Sequence, residues 1–145
     1  MKILNKKKLL LVDDSEDDYI LLKEAIHDSD IEVNLVHCLS GEEALHYLMD
    51  QQNKGKAELP NLILLDLKMP TLNGFEILKR LKHDPILQQI PIVVLSSSDL
   101  TGDIRKSYEL LANSYIVKPF DYDELILTVK SLTNYWFKIS RLPYD

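Results

Sequence analysis

The chain has 145 residues, 46% hydrophobic and 28% charged, which suits one globular domain with a single buried core. A formal charge of −6 argues against direct nucleic-acid binding, which needs a basic face, and the lone cysteine, Cys38, rules out an intramolecular disulfide and fits a reducing compartment. The stretch Met1 to Lys8 is too short and charged for a signal sequence, and no apolar run nears the ~20 residues of a membrane span, so a cytoplasmic protein without membrane association is expected.

In chain order, Lys6, Lys7 and Lys8 read as a solvated lead-in to a first strand, Leu9 to Val12, which ends in Asp13 and Asp14. Ser15 is an N-cap with Asp18 in capping-box position, and Glu16 and Asp17 suit the positive first turn. Those three acids need no catalytic role on this reading. The helix runs to about Ser29 and buries Leu22, Ala25 and Ile26. Ile31 to Cys38 alternates as a strand, and Ser40-Gly41-Glu42-Glu43 opens a second helix with Ala44, Leu45 and Leu48 inward. His37 and His46 have no second ligand at metal-binding spacing and read as ordinary histidines. Gln51 to Pro60 reads as a polar loop, long for an α/β connection.

The stretch Asn61 to Pro70 drives the unbroken apolar run Leu62 to Leu65 into Asp66 and stops at a proline. A run without alternation marks a strand buried on both faces, as in parallel sheets covered by helices. Asn73-Gly74 marks a turn, and Phe75, Leu78 and Leu81 give a third helix ending near Asp84-Pro85. Ile92 to Leu95 is a fourth buried run, ending in Ser96-Ser97-Ser98. A helix over roughly Ile104 to Leu111 follows, then a short strand Tyr115 to Val117, closed by Lys118-Pro119-Phe120. Asp121 can cap a last helix in which Leu125, Val129, Leu132 and Trp136 share a face.

Strand and helix alternate throughout, which predicts an α/β, flavodoxin-like (βα)5 fold: a doubly wound parallel five-stranded sheet of order 2-1-3-4-5. We expect one domain over residues 1–145, with a core of about 8–134 and an aromatic tail, 135–145.

Parallel strands bring their carboxyl ends to one edge, where ligands of open α/β sheets gather. There they collect Asp13 and Asp14, Asp66, Ser96 and Lys118. Close carboxylates repel by roughly 4 kcal/mol per pair at an effective dielectric near 20. Lys118 supplies one compensating charge and a divalent cation can supply the rest. The ligands are all oxygen, so the ion is hard: Mg²⁺, with Mn²⁺ able to substitute. Such a site suits phosphoryl transfer, with Asp66 the best placed nucleophile while Ser96 and Lys118 pair with phosphoryl oxygens. Each residue alone is unremarkable at the end of a strand. Their joint occurrence in this order is not.

Val12-Asp13-Asp14, the segment Asp66 to Pro70 followed by Gly74, Ser96 and Lys118-Pro119-Phe120 together resemble the response-regulator receiver domain of two-component signalling, from about Leu9 to Leu132. The resemblance implies a phosphorelay in which Asp66 accepts a phosphoryl group from a sensor histidine kinase. It implies that Asp14 and Asp66 bind Mg²⁺ directly, that Asp13 acts largely through water, and that the Lys68 carbonyl completes the protein ligands. Ser96 and Tyr115 match the switch hydroxyl and switch aromatic, Lys68 and Ser98 match positions that tune dephosphorylation, and the peptide before Pro119 is commonly cis in the family. The segment Leu111 to Ser114 lacks the glycine many relatives carry there.

Tyr135-Trp136-Phe137 and Leu142-Pro143, with the long loop before Pro60 and no output domain, narrow the resemblance to the small regulators paired with cyanobacterial phytochromes. That implies a phytochrome-type kinase as partner and a homodimer through the fourth and fifth helices and the fifth strand. The tail either extends that apolar surface or folds back over its own core. The protein is then a signalling switch and not an enzyme beyond its own phosphorylation and dephosphorylation at Asp66. Three other readings carry less weight. A Mg²⁺-dependent aspartyl-phosphate phosphatase normally has an Asp where Lys68 stands. A flavin carrier lacks its phosphate loop here. A docking pseudo-receiver does not need the complete acceptor set.

Overall fold

The computed structural model describes residues 7–143. Met1 to Lys6, which include the start of the basic run and most of the stretch read for a signal sequence, lie outside the described residues, as do the last two residues of the tail. The elements are β1 (Lys7–Val12), α1 (Glu16–His27), β2 (Val33–Cys38), α2 (Gly41–Lys54), β3 (Leu62–Leu65), α3 (Gly74–His83), β4 (Ile92–Ser96), α4 (Thr101–Glu109), β5 (Ser114–Val117) and α5 (Tyr122–Asn134). All strand pairings are parallel and the order is β2-β1-β3-β4-β5, as expected.

Alternate strand side chains point to opposite faces. Leu10, Val12, Ile63, Leu65, Ile92 and Val94 pack with Leu48 of α2 and Ile77, Leu78 and Leu81 of α3. Leu9, Leu11, Leu62, Leu64, Val93 and Leu95 pack with Leu22, Ala25 and Ile26 of α1 and Val129 and Leu132 of α5. Every β3 residue is 0% exposed, the burial predicted by its lack of alternation.

Several boundaries differ from expectation. Lys7 and Lys8 belong to β1, and Lys8 Nζ donates to the Glu58 carbonyl at 2.6 Å. The strand β2 starts at Val33, because Ile31 donates its N–H to Ser29 Oγ in the turn that ends α1. The expected polar loop is helical as far as Lys54, where Gly55, at φ 132°, closes α2 by donating to Gln51 and Gln52. A 3-10 turn, Lys56–Glu58, fills most of the remainder.

The helix α4 covers Thr101–Glu109, so it starts and ends earlier than expected. Leu111 N–H donates to Tyr108 O and Ala112 N–H to Ser107 O, at 2.9 and 3.0 Å. This is a Schellman closure, with Leu111 at φ 72° in the position glycine usually takes. Beyond α5 the chain makes a π-helical turn, Tyr135–Ile139, and folds back: Phe137 and Leu142 are buried in the α1/α5 layer with Trp136 against it. The described part of the tail therefore completes its own core. No cis peptide bond occurs among the described residues, so the bond before Pro119 is trans, the lower-energy isomer. No helix among them is long and apolar enough to cross a membrane.

Candidate acidic site at the carboxyl ends of the strands

The sheet's backbone ladder runs on into the site. Asp13 N–H donates to Cys38 O at 3.1 Å, Asp66 N–H to Val12 O at 2.9 Å, and Lys118 N–H to Ser96 O at 2.7 Å. Each residue is thereby fixed against the neighbouring strand. Gly74 lets α3 start directly behind Asp66: a Cβ there would lie 2.5 Å from the Asp66 carbonyl oxygen and 2.7 Å from Leu67 Cα.

One carboxylate oxygen from each of Asp13, Asp14 and Asp66 lies within 4.8 Å of the others. Asp13 is 1% exposed and Asp66 8%, whereas Asp14 is exposed. Lys118 Nζ donates to Asp13 Oδ2 at 2.9 Å and to Asp18 Oδ2, and stands 3.6 Å from Asp66 Oδ2. Although burial opposes its charge, hydrogen bonds to Asp18 and Asp13 and the nearby Asp66 hold the lysine above its ordinary pKa, so it stays an ammonium. One ammonium cannot offset so many acids. Burial lifts the Asp13 carboxyl to about 6, against the pull of Lys118 and of the Ser15 N–H, with the Asp66 charge adding to the rise.

This donor set fits a hard divalent ion: clustered carboxylate oxygens, no thiolate or imidazole among them, and an unrelieved excess of negative charge. The residues line a cleft of about 460 Å³ with Ser15, Leu21, Ser97, Pro119 and Phe120.

The other expected residues sit around it. Ser96 is fully buried, and its Oγ accepts the Ser98 N–H at 3.3 Å. Of the three serines Ser96 to Ser98, it is Ser97, which sequence reasoning gave no role, that lines the cleft. Ser98 is a junction: its Oγ donates to Asp103 Oδ2 of α4 at 2.6 Å, and its carbonyl accepts the Tyr115 hydroxyl at 2.7 Å. Tyr115 is thus held inward against the α2/α3 layer. Lys68 is exposed and donates its backbone N–H to Asp66 Oδ1 at 3.4 Å.

Asp18, read as a capping acid, reaches into the site, and His37 is the structural histidine expected, placed behind it. Asp18 gives only its N–H to the cap, at 3.2 Å from Ser15 Oγ, while the Ser15 N–H goes to Asp13 Oδ1 at 2.9 Å. The reciprocal half of the capping box is therefore absent, and the Asp18 carboxylate is left to reach Lys118. His37 reaches the Asp13 carbonyl from β2. Strand ends alone pointed to neither, since Asp18 lies in a helix and His37 within a strand.

The model of the response regulator receiver domain matches residues 9–130, and the chain belongs to that family. It is 36% identical over 137 residues to the response regulator Rcp1 of Synechocystis, covering 94% of this chain and 93% of Rcp1. Among solved structures it resembles the phosphorylated cyanobacterial phytochrome response regulator RcpA, at 39% identity and a TM-score of 0.88 over 96% of this chain and 99% of that one. The Mn²⁺-bound form of Rcp1 matches at 36% identity and a TM-score of 0.86, covering 94% and 99%. The chain is a signalling protein of two-component systems.

Proposed function

We propose that Asp66 is the phosphoacceptor of a phosphorelay and takes its phosphoryl group from a histidine kinase with Mg²⁺ present. The observation that carries this reading is the cluster itself: Asp66 beside Asp13 and Asp14, with the Lys118 ammonium 3.6 Å from its carboxylate, all at the carboxyl edge of a rigid sheet. Asp13, Asp14 and Asp66, with the Lys68 carbonyl, would hold the ion, Asp13 acting through water. When bound, Mg²⁺, or Mn²⁺ in its place, offsets the charge of the phosphoryl group. A carboxylate oxygen of Asp66 forms a bond to phosphorus as the donor's P–N or P–O bond breaks and the leaving group takes the electron pair. Lys118 pairs with a phosphoryl oxygen.

Ser96 would leave the Ser98 N–H to donate to the phosphoryl group, and the Ser98 junction passes that change to Tyr115 and α4. Likeness to Rcp1 and RcpA supports a phytochrome-type kinase as partner. A homodimer through α4, β5 and α5 fits the apolar groove formed by Ile116, Leu127 and Leu132, with Leu127 63% exposed. Lys68 at the position where phosphatases of this chemistry carry an acid disfavours the phosphatase reading, and the complete acidic cluster disfavours a docking pseudo-receiver.

Incubation with acetyl phosphate and Mg²⁺, followed by intact mass, tests the acceptor. Wild type gains one phosphoryl group and Asp66→Asn gains none; equal gain by both sinks the reading.

A further inference from the structure

An ammonium has three N–H bonds to give. Lys118 spends them on the first turn of α1 as well as on the acidic cluster: it donates to Asp18 Oδ2 and to Asp13 Oδ2, and Asp66 Oδ2 lies beyond hydrogen-bond distance at 3.6 Å. The pairing is sheltered, with the Lys118 side chain 14% exposed and that of Asp18 29%. Asp18 is not needed there for the helix, because the cap uses its backbone N–H alone. Nor is it one of the clustered carboxylates. Among the described residues its carboxylate has one partner in the site, the lysine that faces Asp66.

We infer that Asp18 is a positioning residue that draws the Lys118 ammonium away from Asp66 and thereby slows phosphoryl transfer to it. This rests on the reading of Asp66 as acceptor. Charge already paired with two carboxylates offsets less of the charge on a phosphoryl group in flight. Removing one of them lets the ammonium close on Asp66. The step itself is unchanged: the Asp66 oxygen bonds to phosphorus, the P–O bond of acetyl phosphate breaks, and acetate departs with the electron pair. Asp18 supplies no proton to it.

The test uses the full chain with acetyl phosphate and Mg²⁺, and initial rates from intact mass. Asp18→Ala gains phosphoryl about five-fold faster than wild type. Asp18→Glu, which restores a carboxylate within reach, returns toward the wild-type rate. In a Lys118→Gln background Asp18→Ala changes the rate by less than about two-fold, because its effect passes through the lysine. Independently of any chemistry, the nitrogen NMR resonance of Lys118 Nζ shifts in Asp18→Ala and returns in Asp18→Glu.

An unchanged or slower Asp18→Ala, an undiminished effect without Lys118, or an unmoved Lys118 resonance overturns the inference. Where Asp18→Ala fails to fold by circular dichroism, Asp18→Asn removes the charge at nearly constant shape and is judged by the same measurements. A wild type that gains no phosphoryl group overturns the acceptor reading and the inference with it. Rates that are alike in wild type and the Asp18 variants overturn the inference alone.

Discussion

His37 Nε2 donates to the carbonyl oxygen of Asp13 at 2.7 Å, while its ring stacks on Tyr19 of α1 with centroids 4.6 Å apart. A carbonyl only accepts, so this nitrogen carries the proton. The bond fixes the peptide plane between Asp13 and Asp14. His37→Phe keeps a ring for Tyr19 but removes the donor, and is expected to cost about 1 kcal/mol of stability by urea unfolding. Mn²⁺ titration should show a several-fold weaker site, because the two carboxylates lose their common hinge. An unchanged affinity would confine His37 to packing.

Asp13 gives a pH dependence. Its folded carboxyl sits at about 6, above the 3.8 of a free side chain, so between these values the folded chain binds more protons than the unfolded one. Metal-free stability therefore falls as pH rises through that window. Asp13→Asn, neutral at every pH, should be more stable than metal-free wild type at pH 7 by about 1–3 kcal/mol, and no more stable near pH 4. Saturating Mg²⁺ should shrink or reverse the gap. Thermal unfolding at both pH values, with and without Mg²⁺, checks all three statements.

Gly74→Ala presses a methyl group into the backbone of Asp66 and Leu67, which no side-chain rotation relieves. A loss of about 1–3 kcal/mol is expected in denaturant unfolding. Phosphorylation by acetyl phosphate should slow as well, since the displaced atoms belong to Asp66 itself.

Leu111→Gly should stabilise the protein. Leu111 holds φ 72° in the Schellman closure of α4 and its side chain is largely exposed, so little packing is lost. Relief of the left-handed strain, less the greater chain entropy of glycine, leaves a gain of about 0.5–1 kcal/mol, readable as a rise in Tm.

The sheet was legible because runs such as Leu62–Leu65 can be satisfied only by burial on both faces, and their alternation with helices implied parallel strands; the order 2-1-3-4-5 was an expectation that alternation does not fix and that the pairings bear out. Asp13, Asp14, Asp66 and Lys118 were legible for the same reason: each ends a strand, and parallel strands end together. Asp18 was misread because capping explains an acid there without any tertiary partner. That explanation fails only when Asp13 is seen to take the Ser15 N–H. Leu111 was an open question because a turn that lacks glycine does not reveal which residue bears the strain. The tail offered two destinations; Phe137 and Leu142 are buried over its own core, while Tyr135 and Ile139 stay exposed.

The amides of Asp13, Asp66 and Lys118 are rungs of the sheet. They should therefore exchange with solvent deuterium only on the slowest, global opening, together with the middle of β3. An acidic cluster mounted this way has no soft mode of its own, and its anchor points stay put whatever charge enters the cleft. Motion must then be exported through side chains and through the Ser96 to Ser98 turn. Among the described residues, this turn joins the cleft to both α4 and Tyr115.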